Sequence, residues 1–469
     1  MEYKEYLDTL GEQIQDPRAR RMVLGEIRGH MEEQRAACEA GGMGPEEALA
    51  ESVRQMGDPA EVGARLNRIH RPSVPLGLIG LAMALTAAGI LTQLFVFYQI
   101  ADPPSWTKVW LYYGPRTLFY NLLGLALMLG LMYLDYGFIG RHAYLWYGLY
   151  MALLVCVSFW ASNHSHRMRY PLYYIFSLYP VLLAALLYRN RRQGCGGLAR
   201  CMALTLVFLA WALCSGQYAA CGEAVLVCGP LLAVAVARNI FGGNRRLQAA
   251  LLSGTALACA ALGIISLALA GSGRTFNYAL VRLAALLRPE SAAGGAGYTI
   301  LRQRELLGAG QYSLWGGTEL PAWMVDRGIE WNLADTYVLS AVFSLFGVIA
   351  GAAVAGGLLF FAGRALRLSL HQRNRLGMLL GSACALGLLV RSVTFIAINL
   401  GYGLYYTTGI PFLAYGLGNA VSNGLLVGLL LCVCRNSAIL GEEEASPAKG
   451  FGLGKHRYRL RLEKLPEEN

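Results

Sequence analysis

Residues 75–99 read PLGLIGLAMALTAAGILTQLFVFYQ, a run without a single charged side chain. At about 1.5 Å per residue, a helix of that length crosses the roughly 30 Å hydrocarbon core of a bilayer. Working outward, apolar runs with few or no charged residues recur near 117–137, 143–162, 171–188, 200–215, 219–238, 247–271, 336–361, 377–400 and 408–434. This pattern predicts an all-α polytopic membrane protein with about ten transmembrane helices, preceded by a small soluble helical bundle. Composition agrees. Of 469 residues, 55% are hydrophobic and 15% charged, whereas a soluble chain carries roughly 25% charged residues.

Three regions follow: a helical domain over 1–74, a membrane domain over 75–435 with a large loop at 272–334, and a basic tail over 436–469. The first reads as three short helices. Leu7, Leu10 and Ile14 mark one apolar stripe, and Met22, Val23, Ile27 and Met31 another at helical spacing. Asp58-Pro59-Ala60-Glu61 supplies an N-cap, a proline at the first helical position and an acid reaching back, and Gly44-Pro45-Glu46-Glu47 opens the preceding helix similarly. The polar, amphipathic first 70 residues argue against a cleavable signal peptide.

The net charge of +11 is unevenly placed, with −4 in residues 1–74 and +15 in the remainder, mostly in short loops. Basic loops of that kind orient a membrane protein and meet anionic lipid. No basic groove with interleaved aromatics points to nucleic acid. With the N-terminus inside, the short inner loops carry 12 Lys/Arg and the short outer loops 4, so both termini are expected in the cytoplasm and the 272–334 loop outside. The 11 cysteines are scattered in or beside apolar segments, where Cys acts as a small hydrophobe. No metal-ligand cluster is legible.

The outer loop is the natural working surface. It re-enters the membrane through Glu330-Trp331-Asn332-Leu333-Ala334-Asp335. Asp335, against apolar Tyr337, Val338 and Leu339, is placed for desolvation, which raises a carboxyl pKa toward the range of a general base. Asp is equally the favoured helix N-cap. Arg391 and Glu223 fall inside apolar spans, so each needs a partner or a wet cavity. Asp135, near the inner end of its span, is close to the headgroups. Arg282, Arg288, Arg302 and Arg304, with Arg167 and Arg169 on the same side, suit a diphosphate through charge-assisted bonds or, equally, a hydrated face on anionic lipid.

From about 280 to 435 the chain resembles the SEDS proteins, the FtsW, RodA and SpoVE group. The resemblance rests on Arg282 with Leu287, Pro289-Glu290 and Gly295-Ala296-Gly297-Tyr298, then Gln303, Gly308 to Gly310 and Trp315-Gly316. It continues through Asp335, Asn399 with Gly401, and Thr408-Gly409, Pro411-Phe412 and Tyr415-Gly416. The segment Phe176-Ser177-Leu178-Tyr179-Pro180 keeps only part of a further family motif, without its Glu or Lys. Ala414-Tyr415-Gly416-Leu417-Gly418-Asn419 likewise replaces a Ser-rich one. Residues 1–74 resemble a prefix domain found before permease-like proteins, through Glu26 to Glu33, Glu46-Glu47-Ala48 and Met56-Gly57-Asp58-Pro59.

The resemblance implies a glycosyltransferase of the bacterial plasma membrane that polymerises lipid II and releases undecaprenyl diphosphate in division, elongation or sporulation. It implies Asp335 as catalytic base and Arg282, Arg288, Gly297, Tyr298, Gln303, Tyr415 and Arg391 as substrate-binding residues. It also implies a single-span class B penicillin-binding transpeptidase as partner, with a divalent cation as a candidate assistant. Two alternatives remain open from the residues: a flippase for a lipid-linked precursor, using Glu223 and Arg391 in a central cavity, and a non-catalytic scaffold or signalling protein working through its prefix domain.

Overall fold

The computed structural model describes residues 2–70, 74–101, 104–163, 170–269, 285–286, 288–292, 294–295, 297–308, 313–315, 320, 335–403 and 409–437. Among them every regular element is helical. Arg167, Arg169, Arg282, Leu287, Thr408 and the tail beyond 437 lie outside the described residues.

The N-terminal domain has four helices where the sequence reading expected three: α1 (Tyr3–Glu12), α2 (Pro17–Ala40), α3 (Pro45–Gln55) and α4 (Pro59–Ile69). The last three each start on a proline, whose fixed φ suits a first helical position and whose missing N–H is not needed there. Gly42, at φ 92°, helps to turn the chain between α2 and α3, so the two apolar stripes belong to separate helices from those opened by Pro45 and Pro59. Asp58 accepts the Glu61 N–H at 3.2 Å, as its spacing predicts. Tyr6, Leu10, Ile14, Val23 and Met31 form the domain's own core.

The membrane domain follows as α5 (Leu76–Ile100), α6 (Gly114–Leu131), α7 (Ala143–Ser162), α8 (Tyr170–Phe176), α9 (Tyr179–Arg189), α10 (Gly194–Cys214), α11 (Tyr218–Ala237) and α12 (Arg245–Leu269). The outer loop contributes α13 (Tyr298–Gly308), and α14 (Val338–Leu370), α15 (Arg375–Asn399) and α16 (Leu417–Arg435) complete it. Among the described residues, 8 spans are long and apolar enough to cross a membrane, one of them formed by α8 and α9 together. Helices α6 and α12 stand at the two other expected positions.

Helix α15 runs through the middle, 72% buried, while α7 is peripheral at 11%. Lipid offers no hydrophobic drive between helices, so close packing of small residues replaces it. The α6–α16 seam shows this. A Cβ on Gly124 would lie 2.9 Å from the Ala420 carbonyl oxygen, and one on Gly424 2.6 Å from the Gly124 carbonyl oxygen.

Three expected spans are interrupted. The 171–188 span breaks between α8 and α9, just before Pro180. Helix α14, at 33 residues about 50 Å if straight, is broken at Gly347, where φ is 86° and ψ 173°. Residues 348–370 alone reach about 35 Å, enough to cross, which leaves 338–346 as a short buried half-helix next to the 272–334 loop. The span expected to start at 408 starts at Leu417, because residues 409–416 are not helical. Pro411 has no N–H to give a helix, and Phe412 sits at φ 70°.

Such irregular backbone survives at membrane depth only when protein groups satisfy it. Gln93 Nε2 donates to the Leu413 carbonyl at 2.6 Å, and Asn419 Nδ2 to the Ile410 and Ala414 carbonyls at 3.1 and 2.9 Å. Gly89 lets the segment approach, since a Cβ there would collide with the Phe412 carbonyl oxygen.

Replacing Gly424 with Val should force α6 and α16 apart and destabilise the fold by about 2 kcal/mol or more. A thermal-shift scan in detergent checks this, with Gly80→Val, at a glycine with open space around it, expected to melt like the unmutated protein.

Candidate functional site

Asp335 lies where the outer loop returns to α14, three residues ahead of Val338. It does not cap that helix. The N-cap is Tyr337, which makes no side-chain capping bond. The duty passes to another helix: Asn399, at the end of α15, accepts the Ser340 N–H on its Oδ1 at 2.9 Å and donates through Nδ2 to the Thr336 carbonyl at 2.9 Å. Asn399 is buried at 1% exposure, so it is held rather than solvated.

This arrangement leaves Asp335 unused by its own helix. The residue as a whole is partly exposed, yet its Oδ1 is buried and has no hydrogen-bond partner among the described residues. Burial disfavours the charged form and pushes the carboxyl up to about 7. A carboxyl titrating near neutrality is matched to taking a proton from a hydroxyl.

The outer loop is fastened beside it. Gln303 of α13 is buried, and its Oε1 accepts from the Ser340 hydroxyl at 3.1 Å. Its Nε2 is buried without a partner among the described residues. Gly297 is buried, and its carbonyl accepts the Leu301 N–H at 3.0 Å, opening α13. Tyr298 is half-exposed, with the Arg302 guanidinium 5.6 Å from its ring centre. Arg304 donates through Nε to the Gly401 carbonyl at 2.9 Å and lies 5.0 Å from the Tyr402 ring centre. Arg288 is exposed ahead of a short 3-10 turn, Pro289–Ala292. Of the expected loop residues, Gln303 is thus joined to the start of α14 through Ser340, and Arg288 is exposed at the surface.

Arg391 and Glu223 meet inside the bundle. Arg391 Nε donates to Glu223 Oε1 at 2.8 Å, and Nη1 donates to Ser422 Oγ and Asn423 Oδ1 at 3.0 and 2.9 Å. Nη2 donates to Ser177, and the Tyr173 hydroxyl to the other Glu223 oxygen. A buried charge pair persists only when its remaining lone pairs and protons are used in this way. Arg391, read from the sequence as a substrate contact, has its side chain at 0% exposure and four of its five N–H donors bonded to protein. The cavity beside this network, lined by Asn121, Asn419 and Asn423 among others, measures about 30 Å³, room for one water.

Tyr415 packs between the C-terminal end of α5 and the N-terminal end of α6, with ring centres 5.1 Å from Phe97 and 5.5 Å from Tyr120. Sequence reasoning missed Tyr174 of α8. It packs against Gly409 and Gly418 and lies within electrostatic reach of Asp335, Arg391 and Glu223 together. Nothing in the sequence around it marked this. Asp135 accepts the Gly137 N–H at 2.8 Å, a local turn. No group of three or more metal-ligating side chains occurs among the described residues.

No family model matches the chain. Over 159 residues it is 26% identical to a protein of Trichlorobacter lovleyi named probable peptidoglycan glycosyltransferase FtsW. That match covers 33% of this chain and 40% of the relative, so the chain spans well under half of the relative's length in the comparison. In fold, 78% of the chain matches 98% of a chain in a solved structure described as structural coordination of polymerization and crosslinking by a peptidoglycan synthase complex, with a TM-score of 0.59 and 19% identity. That second likeness is one of fold.

Two outcomes follow from these environments. Arg391→Met should destabilise the protein by about 3–5 kcal/mol, because it strands a buried carboxylate, and adding Glu223→Gln should recover part of the loss; paired thermal melts measure both. Asp335→Asn should raise the melting temperature at pH 8 and only about half as much at pH 5.5. A carboxyl whose folded pKa is raised to about 7 makes its full contribution below the unfolded value of about 3.9 and loses it as pH rises from there to about 7.

Proposed function

We propose that this multi-pass membrane protein of the SEDS type is a peptidoglycan glycosyltransferase that polymerises lipid II. The observation that carries the reading is the buried Oδ1 of Asp335, which has no hydrogen-bond partner among the described residues while Asn399 supplies the bond at the start of α14. The likeness to an FtsW over a third of the chain supports the substrate class, and the α-helical fold shared with a chain from a peptidoglycan synthase complex supports the architecture.

In this reaction Asp335 takes the proton of the acceptor's sugar hydroxyl. The hydroxyl oxygen forms a bond to the anomeric carbon of the donor, the bond from that carbon to the diphosphate oxygen breaks, and undecaprenyl diphosphate leaves with the electron pair. Developing charge on the leaving diphosphate calls for cations at the outer face. Arg288 and Arg302 are exposed or half-exposed on that loop, and Arg282 belongs to the same stretch of sequence. Tyr298 and Tyr415 offer rings to the sugar, and Gly297 and Gln303 hold the loop in place. Arg391 is assigned a positioning role through Ser177 and Asn423 in place of direct contact. A divalent cation at this face would be held by the diphosphate and water, as Mg²⁺ commonly is, and would supply charge neutralisation of the leaving group.

We place both termini in the cytoplasm of a bacterial cell, the loop outside, the first 70 residues as a docking or regulatory domain, and a single-span class B transpeptidase as partner. A flippase would need a passage through the centre, where the packed Glu223–Arg391 network stands.

The test is the full chain in nanodiscs with lipid II. Glycan strands are expected, with Asp335→Asn slower by about 100-fold or more. With the carboxyl at about 7, the rate at pH 6 should be about a tenth of that at pH 8, since only the ionised form accepts a proton. A mutant polymerising at the unmutated rate, or no strands from the unmutated chain while it moves lipid II across a liposome membrane, ends the proposal.

A further inference from the structure

We infer that Gly347 and the loop backbone at residues 313–314 form a clasp that positions Asp335. The inference deepens the reading above, naming the groups that hold its base, and rests on it only for the meaning of the position.

At Gly347 the α14 backbone leaves the helical region. The N–H groups of Val348 and Ile349 can no longer reach the carbonyls one turn earlier, and at the edge of a membrane an unpaired N–H costs several kcal/mol. The outer loop fills the break. The Ser313 carbonyl accepts the Val348 N–H at 2.8 Å, and the Leu314 carbonyl faces the Ile349 N–H at 3.5 Å. Only glycine admits this approach: a Cβ at 347 would lie 2.7 Å from the Leu314 carbonyl oxygen and 2.9 Å from that of Ser313, and φ there is 86°, a region other residues rarely adopt. The side chains do not hold the loop. Leu314 is 65% and Trp315 77% exposed, so the attachment is made by backbone.

The half-helix at 338–346 is therefore fastened at both ends. Above, Asn399 and Gln303 hold Ser340 and the Thr336 carbonyl; below, the loop docks into the break. Over those residues the helix is about 13 Å long and buried almost throughout, so it moves as one piece and carries Asp335 at its outer end. A plain kink would need no loop backbone inside it. The loop and the carboxylate are thus coupled through a rigid element, and a shift of about 1 Å at a reacting group is enough to lower a rate by about 100-fold.

Val348→Pro tests the clasp cleanly. It removes the N–H that Ser313 accepts, and proline is tolerated at the first position of the helix that restarts there. Gly347→Ala is the second variant, which blocks the loop sterically should the first fail to fold. Two readouts need no turnover. Chymotryptic cleavage after Leu314 and Trp315, followed by mass spectrometry, reports undocking of the loop. Modification of Asp335 by a hydrophobic carbodiimide, which reacts with buried protonated carboxyls, reports the site itself.

Both variants should raise cleavage by about tenfold and lower Asp335 modification by about threefold or more, as water reaches the carboxylate. With lipid II, kcat should fall by about tenfold or more with KM unchanged. Cleavage equal to that of the unmutated chain in both variants overturns the docking. Raised cleavage with unchanged Asp335 modification overturns the positioning. Changes in both, from a chain that makes no glycan strands, would uphold the clasp and reject the polymerase reading alone.

Discussion

Where α14 begins, the N–H of Ser340 is buried beside Asn399, whose side-chain oxygen accepts it at 2.9 Å. A helix start leaves several such N–H groups without partners, and at this depth water is not there to take them. An aspartate a few residues ahead is the usual solution in a soluble protein. Here the cap arrives from α15, and the aspartate is left with a desolvated oxygen and nothing to bond to. One interhelical amide therefore does the capping, and the Asp335 Oδ1 stays without a partner among the described residues.

The same constraint governs the other irregular places in the membrane domain. At 409–416, Gln93 and Asn419 take up carbonyls that no helix uses. At Gly347 the loop backbone does so for amides. Between α8 and α9, Ser177 is drawn into the Arg391 network. Each interruption is sealed by an element distant in sequence, which ties the outer loop, α5, α15 and α16 into one polar framework within an otherwise apolar bundle.

Two buried acids show how differently that framework treats charge. Glu223 is matched by Arg391 and Tyr173, and its pair is further bonded to Ser422 and Asn423. Such a pair is close to neutral for stability and serves to hold helices in register. Asp335 has no such match among the described residues, so its ionisation is resisted by desolvation and its burial is a local liability. Sites where local stability is sacrificed in this way are where function concentrates. The contrast also separates the roles of two residues that looked alike in sequence, as lone charges in or beside apolar runs.

Much was legible beforehand. Charge-free runs of about twenty residues determine a helical membrane protein, because hydrocarbon admits only chains that satisfy their own backbone. The loop's re-entry point singled out Asp335, the resemblance to the SEDS proteins pointed to Gln303, and the Asp58-Pro59 start of α4 was read correctly from its capping pattern. The breaks were not legible. Hydropathy is blind to whether an apolar run is helical, so it carried a span through 408–416 and across Gly347. The sequence also could not say that Asn399 would cap a helix more than fifty residues earlier in the chain, or that Arg391 would spend its donors on Glu223. Those outcomes depend on which helices touch and at what height, and tertiary packing alone decides that, since a hydrogen bond is made over 3 Å and not over a distance in sequence.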